Sequence, residues 1–364
     1  MHRDTVKKMK KINVLALLPY PIDGSSSRYR IYQFIKPFLE FNIRVSVHSI
    51  MTPNVYERKI RGQKLGLLEY FSLFRQMLLR IILVLLSRTD VIILSREFMP
   101  SGRAWAHWLF SKLVRVPIIY DFDDAVFTTF PIDDLLRVSI AIIPGNQFLA
   151  DYAKQINPKA RVLVIPTVVD TNYYQPQPNL HSSSPVVVGW IGTESTYNRY
   201  LAPKLDFLVV VAKRFKAVVH VIGPVTIRDD VTCKGALFLE WSLSTEREHM
   251  AAFHVGVMPL FDDRYTKGKC AFKIIEYGAF GIPSVASSVG ANLDVVVQGE
   301  TGFLVDSDLE WQDALKKLLT NPELRATMGA KARDRIVSRY SLDSQVSIWA
   351  DLIRTVVQDN NKSL

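Results

Sequence analysis

Residues 257–305, VMPLFDDRYTKGKCAFKIIEYGAFGIPSVASSVGANLDVVVQGETGFLV, decide the fold of this chain. The stretch predicts a buried strand, a polar loop, a helix from about Lys269, a short strand after Gly281-Ile-Pro, and a further loop and strand. At about 100° per helical residue, Lys269, Lys273 and Glu276 share one face of the helix, and apolar residues occupy the other. One face therefore packs on a sheet, as in α/β proteins.

The polar face of this helix suits a phosphorylated ligand. Its two ammonium groups match a diphosphate, and its carboxylate matches sugar hydroxyls. The helix N-terminus adds free N–H donors and a positive dipole end. The alternative is an ordinary solvated face, which is the usual meaning of Lys and Glu about three or four residues apart. Spacing alone leaves both interpretations open.

Strand-like and helical segments alternate in both halves of the chain, which predicts parallel sheets covered on both faces. Residues 170–185, DTNYYQPQPNLHSSSP, are rich in Pro, Ser and Asn and are typical of a linker. We predict a first domain over residues 1–170, a linker over 171–185, a second domain over 186–340 and a terminal helix over 341–364. The predicted strands are residues 12–18, 44–49, 91–95, 117–121, 139–144, 162–165, 186–191, 218–222, 237–240 and 255–258, and the main helices of the first half are residues 28–40, 65–88 and 102–114.

The composition fits a globular protein with anionic partners. The chain has 364 residues, of which 48% are hydrophobic and 22% charged, and a net charge of +10. Such a charge suits phosphorylated substrates, anionic lipid or nucleic acid, but no nucleic-acid-binding motif is present, so we expect no nucleic acid. The two cysteines, Cys233 and Cys270, indicate neither zinc nor a disulfide framework, and a reducing, cytoplasmic compartment is expected. The N-terminus is interpreted as a basic tail before the first strand rather than a signal peptide.

A serine-rich loop follows the first predicted strand. Ser25, Ser26 and Arg28 lie in the segment Asp23-Gly-Ser-Ser-Ser-Arg-Tyr-Arg30. Such a loop places N–H and hydroxyl donors at a helix N-terminus, where an anion binds, and Arg28 and Arg30 can pair with an anionic donor or acceptor. The alternative is a helix cap provided by Ser26 or Ser27. The chain contains neither GxGxxG nor a Walker A motif, so the sequence does not support dinucleotide or P-loop binding.

Three acids follow the strand at residues 117–121. Asp121, Asp123 and Asp124 lie where α/β proteins bind ligands, at a strand's C-terminal end. They can bind a cation, act as a base or orient an acceptor hydroxyl. Turn formation and helix capping are the alternative. We favour a functional role for Asp123 and Asp124, because three acids exceed what a cap requires.

Residues 64–88, KLGLLEYFSLFRQMLLRIILVLLSR, form a basic amphipathic segment. Its apolar core is too short to span a bilayer. Such a helix either lies in the headgroup region of a membrane or faces the core of its own domain. The positive charge of the chain favours peripheral membrane contact, to which Trp105 and Trp108 on the next predicted helix can add.

Residues 257–305 also resemble the donor site of GT4-type retaining glycosyltransferases, which have the GT-B fold. The matching residues are Pro259-Leu260, Lys269, Lys273, Glu276, Tyr277-Gly278, Gly281 to Val285, Ala286-Ser287, Gly290 and Gly299 to Leu304. The resemblance implies two Rossmann-like, doubly wound parallel-sheet domains that face a cleft. It also implies that the terminal helix crosses back to the first domain.

The resemblance assigns the residues of the donor site. Glu276 is expected to hold the ribose, and Lys273 and Lys269, with the loop at Gly268 and Cys270, the diphosphate. The loop at Gly192 and Thr193 faces the phosphates, and Gly223 and Trp241 lie near the base. Electrostatic stabilisation of the leaving diphosphate then needs no metal, and the nucleotide-diphosphate sugar is the only cosubstrate expected.

The chain departs from the family pattern at two places. The first of the family's two glutamates, which contacts the donor sugar, is replaced by Gly268, so backbone N–H groups near Gly268–Cys270, or Asp262 or Asp263, are expected to take its place. The usual Gly-Arg and later Lys of the second domain appear as Gly192-Thr193 and Asn198, with Arg199 as a less favoured substitute cation. The family's histidine on the first domain is replaced by the acidic cluster, which resembles an Asp-x-Asp-Asp variant.

These features predict a retaining glycosyltransferase. It would move a sugar from a nucleotide sugar to a saccharide or lipid-linked acceptor in bacterial polysaccharide or glycolipid biosynthesis, in the cytoplasm or at the inner face of the membrane. The alternatives are a non-catalytic nucleotide-sugar-binding scaffold with the same fold and a GT-B-type sugar-nucleotide epimerase. The nucleotide, sugar and linkage are left open.

Overall fold

Two parallel β-sheets of six strands each form the framework of the molecule. The computed structural model describes residues 10–86, 88–99, 104–178, 180–223 and 235–363. Pro224, Cys233 and most of the basic N-terminal tail lie outside these ranges. Every pairing between neighbouring strands is parallel. The predicted α/β class with two sheet domains is therefore confirmed.

The first sheet has the strand order β2-β1-β3-β4-β5-β6. Its buried apolar strands are covered by helices, and residues such as Ile93, Ile119 and Ile142 are fully buried. The elements in chain order are β1 (Ile12–Leu18), α1 (Ser25–Arg30), α2 (Ile35–Phe38), β2 (Ile43–Ser49), α3 (Pro53–Ile60), α4 (Leu67–Leu86), β3 (Val91–Ser95), α5 (Ala104–Leu113), β4 (Ile118–Phe122), α6 (Asp133–Val138), β5 (Ala141–Pro144), α7 (Gln147–Ile156) and β6 (Arg161–Val162).

The second sheet has the strand order β12-β11-β10-β7-β8-β9. Gly256 on β10 allows the site helix α12 to lie close to this sheet, because a Cβ there would stand 2.1 Å from the Tyr277 ring. The elements are β7 (Val187–Ile191), α8 (Glu194–Thr196), α9 (Ala202–Arg214), β8 (Val218–Gly223), β9 (Ala236–Glu240), α10 (Glu246–Ala251), β10 (Val255–Met258), α11 (Arg264–Lys267), α12 (Phe272–Ala279), β11 (Ser284–Ser287), α13 (Asn292–Val295), β12 (Gly302–Val305), α14 (Asp308–Thr320), α15 (Pro322–Arg339) and α16 (Leu342–Ser363).

The last helix, α16, packs on the first domain. Trp349 is fully buried and its ring lies 5.9 Å from the ring of Phe34 and 6.4 Å from that of Phe38. Val169 and Ser341 form a parallel bridge where the chain returns to this domain. The exact domain boundaries given above remain predictions.

One predicted helix is wrong in its continuity. Residues 28–40 do not form one helix but α1, α2 and two short 3₁₀ segments, Tyr32–Phe34 and Leu39–Phe41. The break is at Ile31, whose φ is −132°. Pro37 also lacks the N–H that a continuous helix would use. The strands predicted at residues 12–18, 91–95 and 255–258 match the observed bounds.

Candidate active site

The loop before α12 is built from two capped turns rather than one helix. Asp263 caps α11 in a reciprocal capping box with Thr266. Ala271 then adopts a left-handed conformation with φ of +53° immediately before α12. The prediction of a helix from about Lys269 is therefore wrong, and Lys269 lies in the loop. A left-handed alanine is an uncommon, strained conformation of the kind found at functional loops.

Lys269 and Lys273 form a cationic pair at the start of α12. The Lys273 ammonium lies 5.4 Å from the Trp190 ring, and that of Lys269 lies 5.1 Å from the Tyr265 ring. Burial, with the nearby Lys269 charge, lowers the pKa of Lys273 to about 8. Within the described ranges neither ammonium has a carboxylate within 4.0 Å. Both charges are therefore available to an anionic ligand.

Glu276 belongs to a buried cluster that joins the two domains. The Tyr29 hydroxyl, from α1, donates toward Glu276 at 3.2 Å and Glu246 at 3.0 Å, and lies 2.6 Å from the Tyr174 hydroxyl. Burial and the Glu246 charge raise the pKa of Glu276 to about 8. The carboxylate predicted to lie on an open polar face is thus 4% exposed and held in the interdomain contact.

Glu246, at the start of α10, is the centre of this cluster. Its carboxylate accepts from Arg28 at 3.0 Å, from Tyr174 at 2.9 Å and from the Trp241 indole at 2.5 Å. The Arg28 guanidinium also lies 5.9 Å from the Trp241 ring. Arg28, predicted to pair with an anionic ligand, is held by a carboxylate of the second domain.

Asp123 and Asp124 face the cleft from the first domain. Asp123 accepts from the Ser26 and Thr167 hydroxyls, each at 3.4 Å. Asp124 lies 3.5 Å from Arg96, and Arg96 also donates to the Ser26 hydroxyl at 3.1 Å. Burial, together with the Asp124 charge, raises the pKa of Asp123 to about 6. A carboxyl group with this pKa can exchange a proton near neutral pH.

Asp121 and Arg30 are structural rather than ligand-facing. Both are almost fully buried and form an ion pair, with Arg30 Nε donating to Asp121 at 3.0 Å. Arg30 Nη1 also donates to the Ile165 carbonyl at 2.7 Å. The prediction that Arg30 pairs with a ligand is not supported by this arrangement. A buried charge that is fully paired is used to fix β4 against α1.

The loop Lys267–Cys270 is docked on the first domain. The Asn146 amide donates to the carbonyls of Lys267 at 3.3 Å and Lys269 at 3.0 Å. Cys270 donates to the Asp123 carbonyl. A Cβ on Gly268 would stand 2.5 Å from Ala125 Cβ and 2.8 Å from Ala125 N. A glutamate therefore does not fit at position 268 in this arrangement.

Most of the groups expected to replace the family's first glutamate already have partners. The N–H groups of Gly268 and Lys269 donate to the Tyr265 and Thr266 carbonyls. Asp263 caps α11 and pairs with Arg199 at 2.8 Å, and Asp262 lies 3.2 Å from Lys267. These carboxylates thus have structural partners at the rim of the site.

The remaining candidate residues stand at strand ends around the cleft. Gly192 follows β7, and Thr193 caps α8 with its hydroxyl. The Gly223 carbonyl accepts from the Trp241 N–H at 2.8 Å, which joins the ends of β8 and β9. Ser25 is exposed at the start of α1, whose N-cap is Gly24, so the expected capping by Ser26 or Ser27 is not observed.

A cavity of about 270 Å³ opens between α3 and the segment after β9. Its lining includes Tyr56 and Ile60 from the first domain and Glu240, Trp241 and Ser242 from the second. Both domains thus supply walls beside the Arg28–Glu246 pair.

Sequence reasoning did not identify four residues of this site: Tyr29, Arg96, Tyr174 and Glu246. Arg96 follows β3 directly and has a positive φ of 63°. The sequence signal that could have identified it is a cationic residue immediately after a buried strand. Glu246 has the pattern of an ordinary acid in a helix first turn. The two tyrosines carry no local signal, because their partners are distant in sequence.

Comparison with known proteins identifies the second domain. Residues 186–321 match the family model described as Glycosyl transferases group 1. This segment is therefore similar to group 1 glycosyltransferases over about the length of the second sheet domain. It contains the Lys269–Lys273 pair, Glu246 and Glu276. The chain is also 28% identical over 157 residues to the capsular polysaccharide biosynthesis glycosyltransferase CapM of Staphylococcus aureus. That alignment covers 40% of this chain and 39% of CapM.

Solved structures extend the likeness in fold to the whole chain. Anabaena Alr3699/HepE in complex with UDP and glucose superposes with a TM-score of 0.65 at 15% identity, covering 97% of this chain and 99% of that protein. Sucrose-phosphate synthase from Thermosynechococcus elongatus gives 0.68 at 12% identity, covering 96% and 100%. The segment that matches the family model thus lies in the second half of a GT-B fold. In the ranges that the structure describes, no helix is long and apolar enough to cross a membrane.

Proposed function

We propose that this chain is a retaining glycosyltransferase that uses a nucleotide-sugar donor. The observation that carries the proposal is the meeting of two sets of groups at the loop Lys267–Cys270. The cationic pair of the second domain lies on one side, and Asp123 and Asp124 of the first domain lie on the other. A cleft with this polarity matches donor phosphates on one wall and an acceptor hydroxyl on the other.

The second domain holds the donor in this proposal. Glu276 accepts from the ribose hydroxyls, which replace the Tyr29 hydroxyl that now contacts it at 3.2 Å. Lys273 and Lys269, with the N-terminal N–H groups of α12, stabilise the charge that builds on the leaving diphosphate. Gly192 and Thr193 face the phosphates, and Gly223 and Trp241 border the base. Donor departure then needs no metal ion.

The first domain provides the acceptor side. Asp123 and Asp124 orient the acceptor hydroxyl, and Asp123, with a pKa near 6, takes up its proton. Ser26 and Arg96 position these carboxylates through the contacts described above. Docking of Lys267–Cys270 on Ala125 excludes water from the reacting centre and so suppresses hydrolysis of the donor.

The acceptor class that we propose is a saccharide or a lipid-linked saccharide, in a bacterial polysaccharide or glycolipid pathway at the cytoplasmic face of the membrane. CapM, which matches part of the chain, carries capsular polysaccharide biosynthesis in its name. UDP is the first nucleotide to test, since Anabaena Alr3699/HepE was solved with UDP and with UDP-glucose.

A thermal-shift screen of the purified protein against UDP, GDP, ADP, CMP and TDP, alone and as common sugars, tests the donor site. We expect one nucleotide to stabilise the protein, and Lys273→Ala to remove that shift. Lys267→Ala is the matched control, because Lys267 is an exposed lysine of the adjacent helix that pairs with Asp262. No shift with any nucleotide would contradict a donor site.

Transfer and its stereochemistry need a second measurement. With the nucleotide identified, NMR of the product gives its anomeric configuration, and retention is expected. An inverted product would contradict the retaining mechanism. Nucleotide binding without transfer to any saccharide or lipid-linked acceptor would favour the scaffold alternative.

A further inference from the structure

Helix α4 has the reverse of the usual amphipathic arrangement. Its exposed residues are all large and apolar or aromatic except Arg75. Leu67, Phe71 and Phe74 are 90%, 67% and 53% exposed, and Leu78, Ile82 and Leu85 continue the same stripe at helical spacing. With 20 residues the helix is roughly 30 Å long, so the stripe is far larger than the scattered apolar residues of an ordinary surface.

Buried contacts fix this orientation of the helix. Arg80 is fully buried and donates to the carbonyl of Phe98, beyond the end of β3, at 2.7 Å and to that of His48, near the end of β2, at 2.9 Å. Val84 packs in the same core as Phe110. Rotation of α4 to bury its stripe would expose Val84 and leave the Arg80 guanidinium without these acceptors. The apolar face is therefore a fixed feature of the domain surface.

The exposed charges along α4 are all positive. Lys64, Arg75 and Arg88 are exposed near the start, the middle and beyond the end of the helix. Its single carboxylate, Glu69, is buried and neutralised by Arg58 at 2.8 Å. On α5, which shares the core cluster with α4, Trp105 and Trp108 are exposed. Apolar side chains flanked by cations and tryptophans match the acyl boundary and the headgroups of an anionic bilayer.

We propose that the α4 face, defined as the exposed apolar residues of Leu67–Leu86 with Trp105 and Trp108, docks on an anionic lipid bilayer. The face lies about 5–10 Å into the headgroup region, and Lys64, Arg75 and Arg88 contact lipid phosphates. This docking does not depend on the transferase activity.

Docking by this face places the interdomain cleft beside the bilayer. Helix α3 lies between α4 and the cavity at the cleft. On one side, Val55 of α3 packs in one cluster with Leu73 and Met77 of α4. On the other side, Tyr56 and Ile60 of α3 line the cavity. A lipid-borne acceptor therefore reaches the cleft over the width of one helix, a consequence that rests on the proposed function.

Vesicle flotation tests the docking. The full chain is expected to float with vesicles of phosphatidylglycerol and phosphatidylethanolamine, and more weakly with phosphatidylcholine alone or at high salt. The triple variant Leu67→Gln, Phe71→Gln, Phe74→Gln should bind about tenfold more weakly or worse, since a loss of about 1.4 kcal/mol already gives that factor. The control variant Val210→Gln, Leu309→Gln changes residues of the second domain that are 67% and 68% exposed, and should bind unchanged.

The outcomes separate a membrane from other occupants. No binding of the wild-type chain to anionic vesicles, or equal binding by the triple variant, overturns the proposal. A wild-type dimer that the triple substitution converts to a monomer, with vesicle binding unchanged, assigns the face to a second copy instead.

Brominated lipid provides a readout that does not need the triple variant to fold. It should quench tryptophan fluorescence in the wild type and quench it less in the double variant Trp105→Phe, Trp108→Phe. Equal quenching in both proteins also contradicts the proposal.

Discussion

Gly268→Ala probes the docking of the loop on the first domain with a single methyl group. Gly268 has φ of −85° and ψ of −3°, a negative-φ conformation that is open to alanine as well as glycine, so the second domain itself accepts the change. Across the cleft, however, the added Cβ would stand 2.5 Å from Ala125 Cβ and 2.8 Å from Ala125 N. Ordinary contacts between such atoms are about 3.5–4.0 Å. The clash therefore arises only when the two domains are docked.

The magnitude follows from the kind of atom that is hit. A backbone nitrogen cannot turn aside as a flexible side chain does, so the overpacking cost is about 1–3 kcal/mol. We expect kcat/KM to fall about 5-fold to 150-fold, because the docked state becomes harder to populate. Separation of the domains relieves the clash but gives up the interdomain hydrogen bonds, so the loss of stability should not exceed this overpacking cost. Loss of glycine freedom in the unfolded chain offsets part of that loss. Gly268→Glu, which introduces the glutamate expected there from the resemblance, should reduce turnover further.

The assay combines turnover, nucleotide binding and melting of one variant set. Nucleotide affinity should be close to wild type, since the proposed donor residues of the second domain are unchanged. Ala125→Gly removes the 2.5 Å contact but not the 2.8 Å contact, so the double variant should recover part of the lost kcat/KM. Wild-type kcat/KM in Gly268→Ala, or equal loss with and without Ala125→Gly, would refute the role of this docked state in catalysis.

Three further changes test the charges of the site. Lys273→Met should lower kcat by about 10²–10³-fold. Because the Lys273 pKa is near 8, wild-type activity should also fall as pH rises through about 8. Lys273→Arg stays charged, so the pH–rate profile of that variant should lose this fall at high pH. Asp123, the proposed proton acceptor, is ionised above its pKa near 6, so activity should fall as pH drops through about 6. Asp123→Asn should lower kcat by about 10²–10⁴-fold and flatten that acid limb. Glu276→Gln should weaken nucleotide binding about tenfold or more, as measured by calorimetry. The control Glu248→Gln changes an exposed residue and should bind the nucleotide as the wild type does. Equal affinities of Glu276→Gln and the wild type would contradict the ribose contact.

The sheets could be predicted because their strands are short apolar runs between turn residues. Residues 12–18, 91–95 and 255–258 are buried on both faces, so their sequences need no partner to be recognised. Helices whose ends depend on local hydrogen bonds were harder to predict from the sequence. The predicted helix from Lys269 ignored the Asp263–Thr266 capping box, which starts α11 earlier in the chain. Ala271 then separates the two helices by a left-handed conformation that no composition rule anticipates.

Side chains on α12 were predictable as a set, but their partners were not. Lys273 and Glu276 could be selected from spacing and resemblance, whereas the contacts of Glu276 come from Tyr29, which is 247 residues away. Likewise Arg28 and Glu246 are separated by 218 residues. Such contacts depend on how the two sheets face each other, which single-sequence patterns do not encode. The burial of Glu276 and its raised pKa follow from that arrangement alone.

The predicted replacement of the family's first glutamate by Gly268 fits a rearranged site. A glycine permits the loop to approach Ala125 to backbone distance, and Asn146 and Cys270 add hydrogen bonds across the same contact. A site that had only lost its function would have no reason to keep these hydrogen bonds, since unpaired loop groups are satisfied by water at a surface. The close approach also brings the loop to the backbone of Asp123. The acids of the first domain thus border the loop at Gly268, which favours the proposed enzyme over the scaffold alternative.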